Sequence, residues 1–252
     1  MAELISELFG GFWQGVAVFL RVSALISVLP ILGEQSVPVR VKLGVSIALT
    51  FIVAPLIPPV SEPSGLANFA LLTASEILIG LVFGLGVRLF VLALQTAGSI
   101  AGQATSLSQI LGSAGMDPIP AMGQVLLLAG LALAVTAGLH IRAAEYLVIS
   151  YELFAPGRFP DAQALSQWSV RRVADAFSLA FTLAAPFVMT SVVYNLALGA
   201  INRAMPQMMV AFVGAPVITF GGLFILFAAS PFLLSVWIEA VLSFMANPMQ
   251  VN

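Results

Sequence analysis

Apolar residues run through this chain in long stretches separated by short polar connections, and about 20 mostly apolar residues are what a helix needs to cross a bilayer. Six such runs follow one another. Leu8 to Leu32 contains Arg21 and stops at Gly33-Glu34-Gln35-Ser36-Val37-Pro38; Leu43 to Ile57 is free of charge and closes on Pro58-Pro59. Leu66 to Leu94 holds Glu76 and Arg88, too far apart along a helix to share one partner or depth. Gln124 to Phe154 is apolar through Leu139 and then carries His140, Arg142, Glu145 and Glu152, so its second part is expected to be wetter. Ala174 to Ile201 has Asp175 near its start, and Met208 to Met245 carries only Glu239. Pro186, Pro216 and Pro231 each remove an amide donor, which predicts broken helices. The sixth run therefore reads as two segments meeting near Gly221-Gly222 or Ser230-Pro231.

Between the third and fourth runs, Thr96 to Pro120 is uncharged until Asp117 and rich in Gly, Ser, Thr and Gln. It is too polar for a lipid-facing helix and too long and apolar for a simple connector. Backbone of that kind is tolerated at membrane depth only where protein buries it or where it lines a water-filled path. The pattern predicts an all-α, polytopic membrane-type protein of about six hydrophobic helical segments, several broken at proline, with a re-entrant or pore-facing Gly/Ser-rich loop over 96–122.

Composition narrows the class. The 252 residues are 60% hydrophobic and 8% charged, against about 25% charged in soluble domains, and the mean hydropathy is +1.09. Such a chain suits lipid or a large protein partner, and one unit spanning 1–252 is the simplest organisation. Glu3 and Glu7 ahead of the first apolar run speak against a cleaved leader. The net charge of −2 and scattered cations offer no stripe for a phosphate backbone. Arg40 and Lys42 place the first connection in the cytoplasm, but six simple crossings then put Arg158, Arg171 and Arg172 outside, against the positive-inside rule.

Candidate chemistry is thin. Cysteine is absent and His140 is the single histidine, so thiolate and polyhistidine metal sites are excluded and no cofactor is expected. No phosphate loop, dinucleotide fingerprint, metalloprotease helix or nucleophile elbow occurs, so no catalytic residue is assigned. Glu76, Asp117, Glu145 and Glu152 are the carboxylates a proton relay would need. Arg21 inside an apolar run either snorkels or pairs with an acid, Glu76 or one from another subunit. Gly80 and Gly84 have the spacing of a small-residue packing face, shared with Gly86, and Met116 and Met122 flank the polar loop as deformable side chains able to seal a path.

The run Leu20-Arg21-Val22-Ser23-Ala24-Leu25-Ile26-Ser27-Val28-Leu29-Pro30, followed by Val37-Pro38-Val39-Arg40-Val41-Lys42-Leu43-Gly44, resembles the start of the FliR family of flagellar biosynthetic proteins. Gln95-Thr96-Ala97-Gly98 and Asn195-Leu196-Ala197-Leu198-Gly199-Ala200-Ile201-Asn202-Arg203-Ala204-Met205-Pro206-Gln207 look like its other blocks. The resemblance implies a non-enzymatic subunit of the flagellar type III export gate, related to an injectisome subunit and sited in the bacterial inner membrane at the basal body. It implies FliP-like and FliQ-like gate subunits and an FlhB-like export switch protein as partners, with unfolded flagellar proteins in transit. It also implies hydrophobic subunits packed against one another largely above the membrane plane. A channel plug would then fall on Ser106, Leu107, Gly112, Ser113, Gly115, Met116, Asp117, Pro118 and Met122. Here Asp117-Pro118 lies later than the family's Asp-Pro, and Ala137-Gly138-Leu139-His140 stands where the family has Asn-Gly-His. Contacts between subunits or helices are expected from Arg21, Arg40, Lys42, Asn195, Asn202 and Arg203. The alternative class is an ion-coupled secondary transporter, whose broken helices and midplane carboxylates would look similar.

Overall fold

The computed structural model describes residues 2–35, 37–60, 62–105, 121–205 and 210–249, with the backbone alone for 2–10, 121, 210–213 and 215. Among the described residues seven α-helices follow in order: α1 Ala2–Val28, α2 Val39–Val53 with a 3-10 turn Ala54–Leu56, α3 Leu66–Thr105, α4 Ala121–Thr136, α5 Leu139–Leu153, α6 Ala162–Ala204 and α7 Val210–Ala246. No strand occurs among the described residues. The fold is all-α and polytopic. Among the described residues five helical segments are long and apolar enough to cross a membrane, and a sixth is counted if α4 and α5 form one broken span.

Local chemistry explains where these helices stop. Pro38, at φ −57°, sits at the N-cap of α2, where a missing amide hydrogen costs nothing. Asp161 caps α6 by accepting the Ala164 N–H at 2.8 Å. Gly138, at φ 80°, separates α4 from α5 in a left-handed conformation that a side chain resists. The fourth run is thus two helices rather than one.

Three sequence expectations are corrected. The polar loop does not begin at Thr96, because α3 remains helical through Thr105. Ala97, Ala101 and Thr105 recur every fourth residue on its buried face, and the Thr105 hydroxyl donates back to the Ala101 carbonyl at 2.9 Å, which keeps a polar residue compatible with helix. Helices α6 and α7 continue through Pro186, Pro216 and Pro231; each proline removes one backbone bond, and in apolar surroundings the remaining groups can be satisfied only inside the helix. The second part of the fourth run is not uniformly wet: α5 exposes His140, Arg142, Glu145 and Glu152 but buries Leu139, Ala143, Tyr146, Leu147, Ser150 and Tyr151.

The chain divides into two compact units, Met1–Leu89 with Val135–Val173 and Val241–Asn252, and Phe90–Ala134 with Ala174–Ala240. In the first, Val18, Val22, Leu25 and Leu29 form the buried stripe of α1, and Leu72, Ile79, Phe83 and Val87 that of α3. Glycine sets their separation. A Cβ on Gly80 would strike the Arg21 carbonyl oxygen, and one on Gly84 would lie 2.8 Å from the Leu25 carbonyl oxygen, so the two glycines meet two residues of α1 that are also four apart. In the second unit, Trp237 is buried and donates from Nε1 to the Phe90 carbonyl at 2.8 Å, while Gly130 leaves room for Leu94.

Helix length carries a separate message. At 1.5 Å per residue, the 40 residues of α3, 43 of α6 and 37 of α7 extend about 55 to 65 Å, roughly twice the hydrocarbon thickness of a bilayer. Helices of that length continue beyond the hydrocarbon layer.

Candidate functional site

The first unit holds a closed polar cluster. Arg21 and Glu76 are both fully buried, with Nε to Oε2 at 2.8 Å and Nη2 to Oε1 at 3.1 Å, so the guanidinium meets the carboxylate through two parallel bonds. Nη1 donates to the Ser150 carbonyl at 2.9 Å and to its hydroxyl at 3.2 Å, and Nη2 also donates to the Phe154 carbonyl at 3.1 Å. These are five acceptor contacts for the five N–H groups of an arginine. Glu76 is equally occupied: Tyr151 donates to Oε2 at 3.1 Å and the Gly157 N–H to Oε1 at 3.1 Å. The Tyr151 ring lies 3.6 Å beneath the guanidinium carbon.

Several local features produce this arrangement. Arg21 belongs to the same face as Val18, Val22 and Leu25, and Glu76 stands one turn before Gly80, the residue that lets α3 approach the α1 backbone. Gly157, at φ 72°, turns its amide toward the carboxylate. The sequence offered Glu76 as one of the alternatives for Arg21, and the structure joins the two. It gave no warning of Ser150, Tyr151, Phe154 or Gly157, because three of the four contribute backbone groups, although the Pro156-Gly157 pair signals the turn that delivers one of them. With every acceptor position of Glu76 filled by a fixed donor and neither charge reached by solvent, the carboxylate has no site at which to receive a shuttled proton. Its chemistry is that of a pin joining α1, α3, α5 and the turn after α5.

The second unit gathers polar groups without charge. Thr105, at the end of α3, presents its hydroxyl to Met122 Sδ at 3.5 Å, and its backbone carbonyl accepts from the Thr219 hydroxyl at 3.4 Å. A Cβ on Gly222 would lie 2.6 Å from Thr105 Cγ2, and one on Gly98 would strike the Gly123 Cα, so α3 meets α7 and α4 through glycines. The two chain ends that bound residues 106–120 are therefore fastened to one another. Of the expected plug residues, Met122 is placed here, buried to 8% exposure. Ser106, Leu107, Gly112, Ser113, Gly115, Met116, Asp117 and Pro118 lie outside the described residues.

The remaining expected contact residues are dispersed. Arg40, Asn202 and Arg203 are exposed, and Asn195 Nδ2 donates to the Ser191 hydroxyl on its own helix at 3.2 Å. Lys42 Nζ donates to the Gly33 carbonyl at 3.0 Å, and Arg88 Nη1 reaches the Val28 carbonyl at the end of α1 at 3.4 Å, where a cation favours the helix terminus. Arg142 and Glu145 form a half-exposed pair at 2.9 Å. Among the described residues no group of three or more histidines and carboxylates could hold a metal ion.

Comparison with known proteins gives a consistent set of relatives. The sequence model of the family described as bacterial export proteins, family 1, matches residues 12–244. The chain is similar to the flagellar biosynthetic protein FliR of Caulobacter vibrioides, 33% identical over 226 residues that cover 88% of this chain and 90% of that one. It is also similar to FliR of Escherichia coli K12, 34% identical over 227 residues covering 87% and 84%, and to FliR of Bacillus subtilis, 27% identical over 219 residues covering 84% and 83%.

Proposed function

The chain belongs to the bacterial export proteins, family 1, and is a membrane component of flagellar export; from that premise we propose that it is a non-enzymatic subunit of the type III export gate. With FliP-like and FliQ-like subunits it forms the channel through which unfolded flagellar proteins pass, in the inner membrane at the basal body and beside an FlhB-like switch protein. The observation that carries this reading is the surface of the second unit. Phe177, Phe181, Met189, Val193 and Leu196 on α6, and Phe220, Phe224, Phe227 and Phe232 on α7, are all more than half exposed, on helices about twice as long as a bilayer is thick. Large apolar side chains left open on helices that continue past one bilayer thickness suit a cover of neighbouring protein beside lipid.

The segment between Thr105 and Met122 is the plug in this reading, and Ser106, Leu107, Gly112, Ser113, Gly115, Met116, Asp117 and Pro118 are its residues. Its supports are the uncharged composition up to Asp117 and the fastened base. Exposed Arg40, Asn202 and Arg203 are the contacts offered to neighbouring subunits, while Arg21 serves within the subunit. The saturated Glu76 speaks against the ion-coupled transporter, since a transported proton or cation needs a carboxylate with a vacant face. Export energy comes from partner proteins in this account.

Deleting residues 112–117 tests the plug. The shortened chain is expected to assemble normally and to make the membrane leaky to small ions, measured as loss of membrane potential in cells. An assembled variant with unchanged permeability would contradict the plug assignment.

A further inference from the structure

A cavity of about 190 Å³ opens between α3 and α4 within the second unit, lined by Gln95, Ser99, Gly123, Gln124 and Leu127. Its position follows from the helix crossing. Gly98 and Gly123 let the two backbones touch, and the residues flanking these glycines, Gln95 and Ser99 on α3 and Gln124 on α4, are thereby brought to one cleft. Gln95 and Ser99 stand four residues apart and so share one helix face. Gln95 is exposed, and Ser99 and Gln124 are half-buried. Gln95 and Ser99 belong to a stretch, 89–116, in which no residue is charged, and the lining residues from α4, Gly123, Gln124 and Leu127, are uncharged as well.

Such polar groups are out of keeping with the rest of the unit, where the exposed faces of α6 and α7 carry Phe, Val, Leu and Met. Neither lipid tails nor the apolar face of another helix gives amide side chains a partner. A carboxamide carries both donor and acceptor, and a hydroxyl does the same. Together they match the repeating N–H and C=O of a main chain, whatever side chains it bears. The absence of charge means that acidic and basic segments meet the same surface, and the cavity admits a short length of extended chain but not a helix about 10 Å across.

We propose that the Gln95–Ser99–Gln124 cleft contacts the backbone of an extended polypeptide during its passage, by hydrogen bonds that are indifferent to its sequence. The inference rests on the export-gate reading above and adds a passenger-contacting surface made of side chains distinct from the plug.

A photo-crosslinking residue placed at Gln95 or Gln124 in the assembled complex, in cells carrying an export passenger stalled by a fused folded domain, tests the cleft directly. Phe220 and Phe227 on α7 are the control positions. Capture of the passenger at 95 and 124 but not at 220 or 227 is expected; capture only of neighbouring subunits or lipid at 95 and 124 would overturn the proposal. A second readout separates contact from a merely structural role. Gln95→Glu is expected to slow export of an acidic passenger about fivefold relative to a basic one, as for one unit-charge contact across water. An equal loss for both passengers in the Gln95→Glu variant would also overturn it. Normal flagellar export in cells lacking this chain would instead defeat the export-gate reading itself, so the two failures are distinguishable.

Discussion

The two units use polar chemistry in opposite ways. The first encloses a charged pair and satisfies each of its donors and acceptors, while exposing ordinary charges such as Arg142 and Glu145 at its surface. In the second, the polar groups set beside glycine crossings, Ser99, Thr105 and Gln124, are neutral, and large apolar side chains of α6 and α7 lie open. A buried bidentate pair specifies one arrangement of the segments it joins, because any other arrangement strands a charge. Glycine contacts and neutral amides impose no such exclusivity. The contrast sets a pinned arrangement in the first unit against a second unit whose helices meet through glycine and neutral side chains.

The sharpest way to break that contrast is to remove half of the pin. Arg21→Met leaves the Glu76 carboxylate buried without its cation, a loss of about 3 to 5 kcal/mol, enough to abolish recovery of folded protein from detergent. Replacing both, as Arg21→Met with Glu76→Leu, is expected to restore much of that yield. Equal yields from the single and double variants would show that the pair does not act as a unit.

Forcing the helices apart in the second unit comes next. Gly98→Ala sets a methyl group against the Gly123 backbone, which can move only with the helix, and is expected to cost about 1 to 3 kcal/mol, read as a lower thermal midpoint of the purified complex. Gly199→Ala, on α6 with open space around it, is the matched control and is expected to be neutral or to gain up to about 1 kcal/mol from helix propensity. Arg203→Ala, at an exposed position, leaves the isolated chain unaltered and lowers the amount of intact complex recovered. Smallest of all, Arg142→Ala removes a half-exposed pair and should shift stability by less than about 1 kcal/mol.

The sequence disclosed the class and the apolar segments and offered Glu76 among the alternatives for Arg21, because each rests on patterns of side-chain polarity. Gly80 and Gly84 were legible as a packing face from spacing alone, and the structure sets them against Arg21 and Leu25. What escaped has a common cause. The Ser150 and Phe154 carbonyls and the Gly157 amide are backbone groups with no side-chain signature. The extension of α3 through Thr105 escaped because Gly, Ser and Thr favour loops locally, whereas tertiary burial of Ala97, Ala101 and Thr105 prevails. The prolines misled in the opposite direction, since a single missing amide is a minor loss inside a helix of 37 or 43 residues. The break at Gly138 sat within an apolar run whose periodicity hid it.

The central claim is that this chain is one part of a larger protein channel. Its most direct test is affinity purification of the tagged chain, expressed at native level in its own cell and extracted in mild detergent, with mass determination of whatever accompanies it. The account predicts co-purification of FliP-like and FliQ-like subunits in a fixed ratio. A stable monomer or homodimer free of such subunits would contradict it.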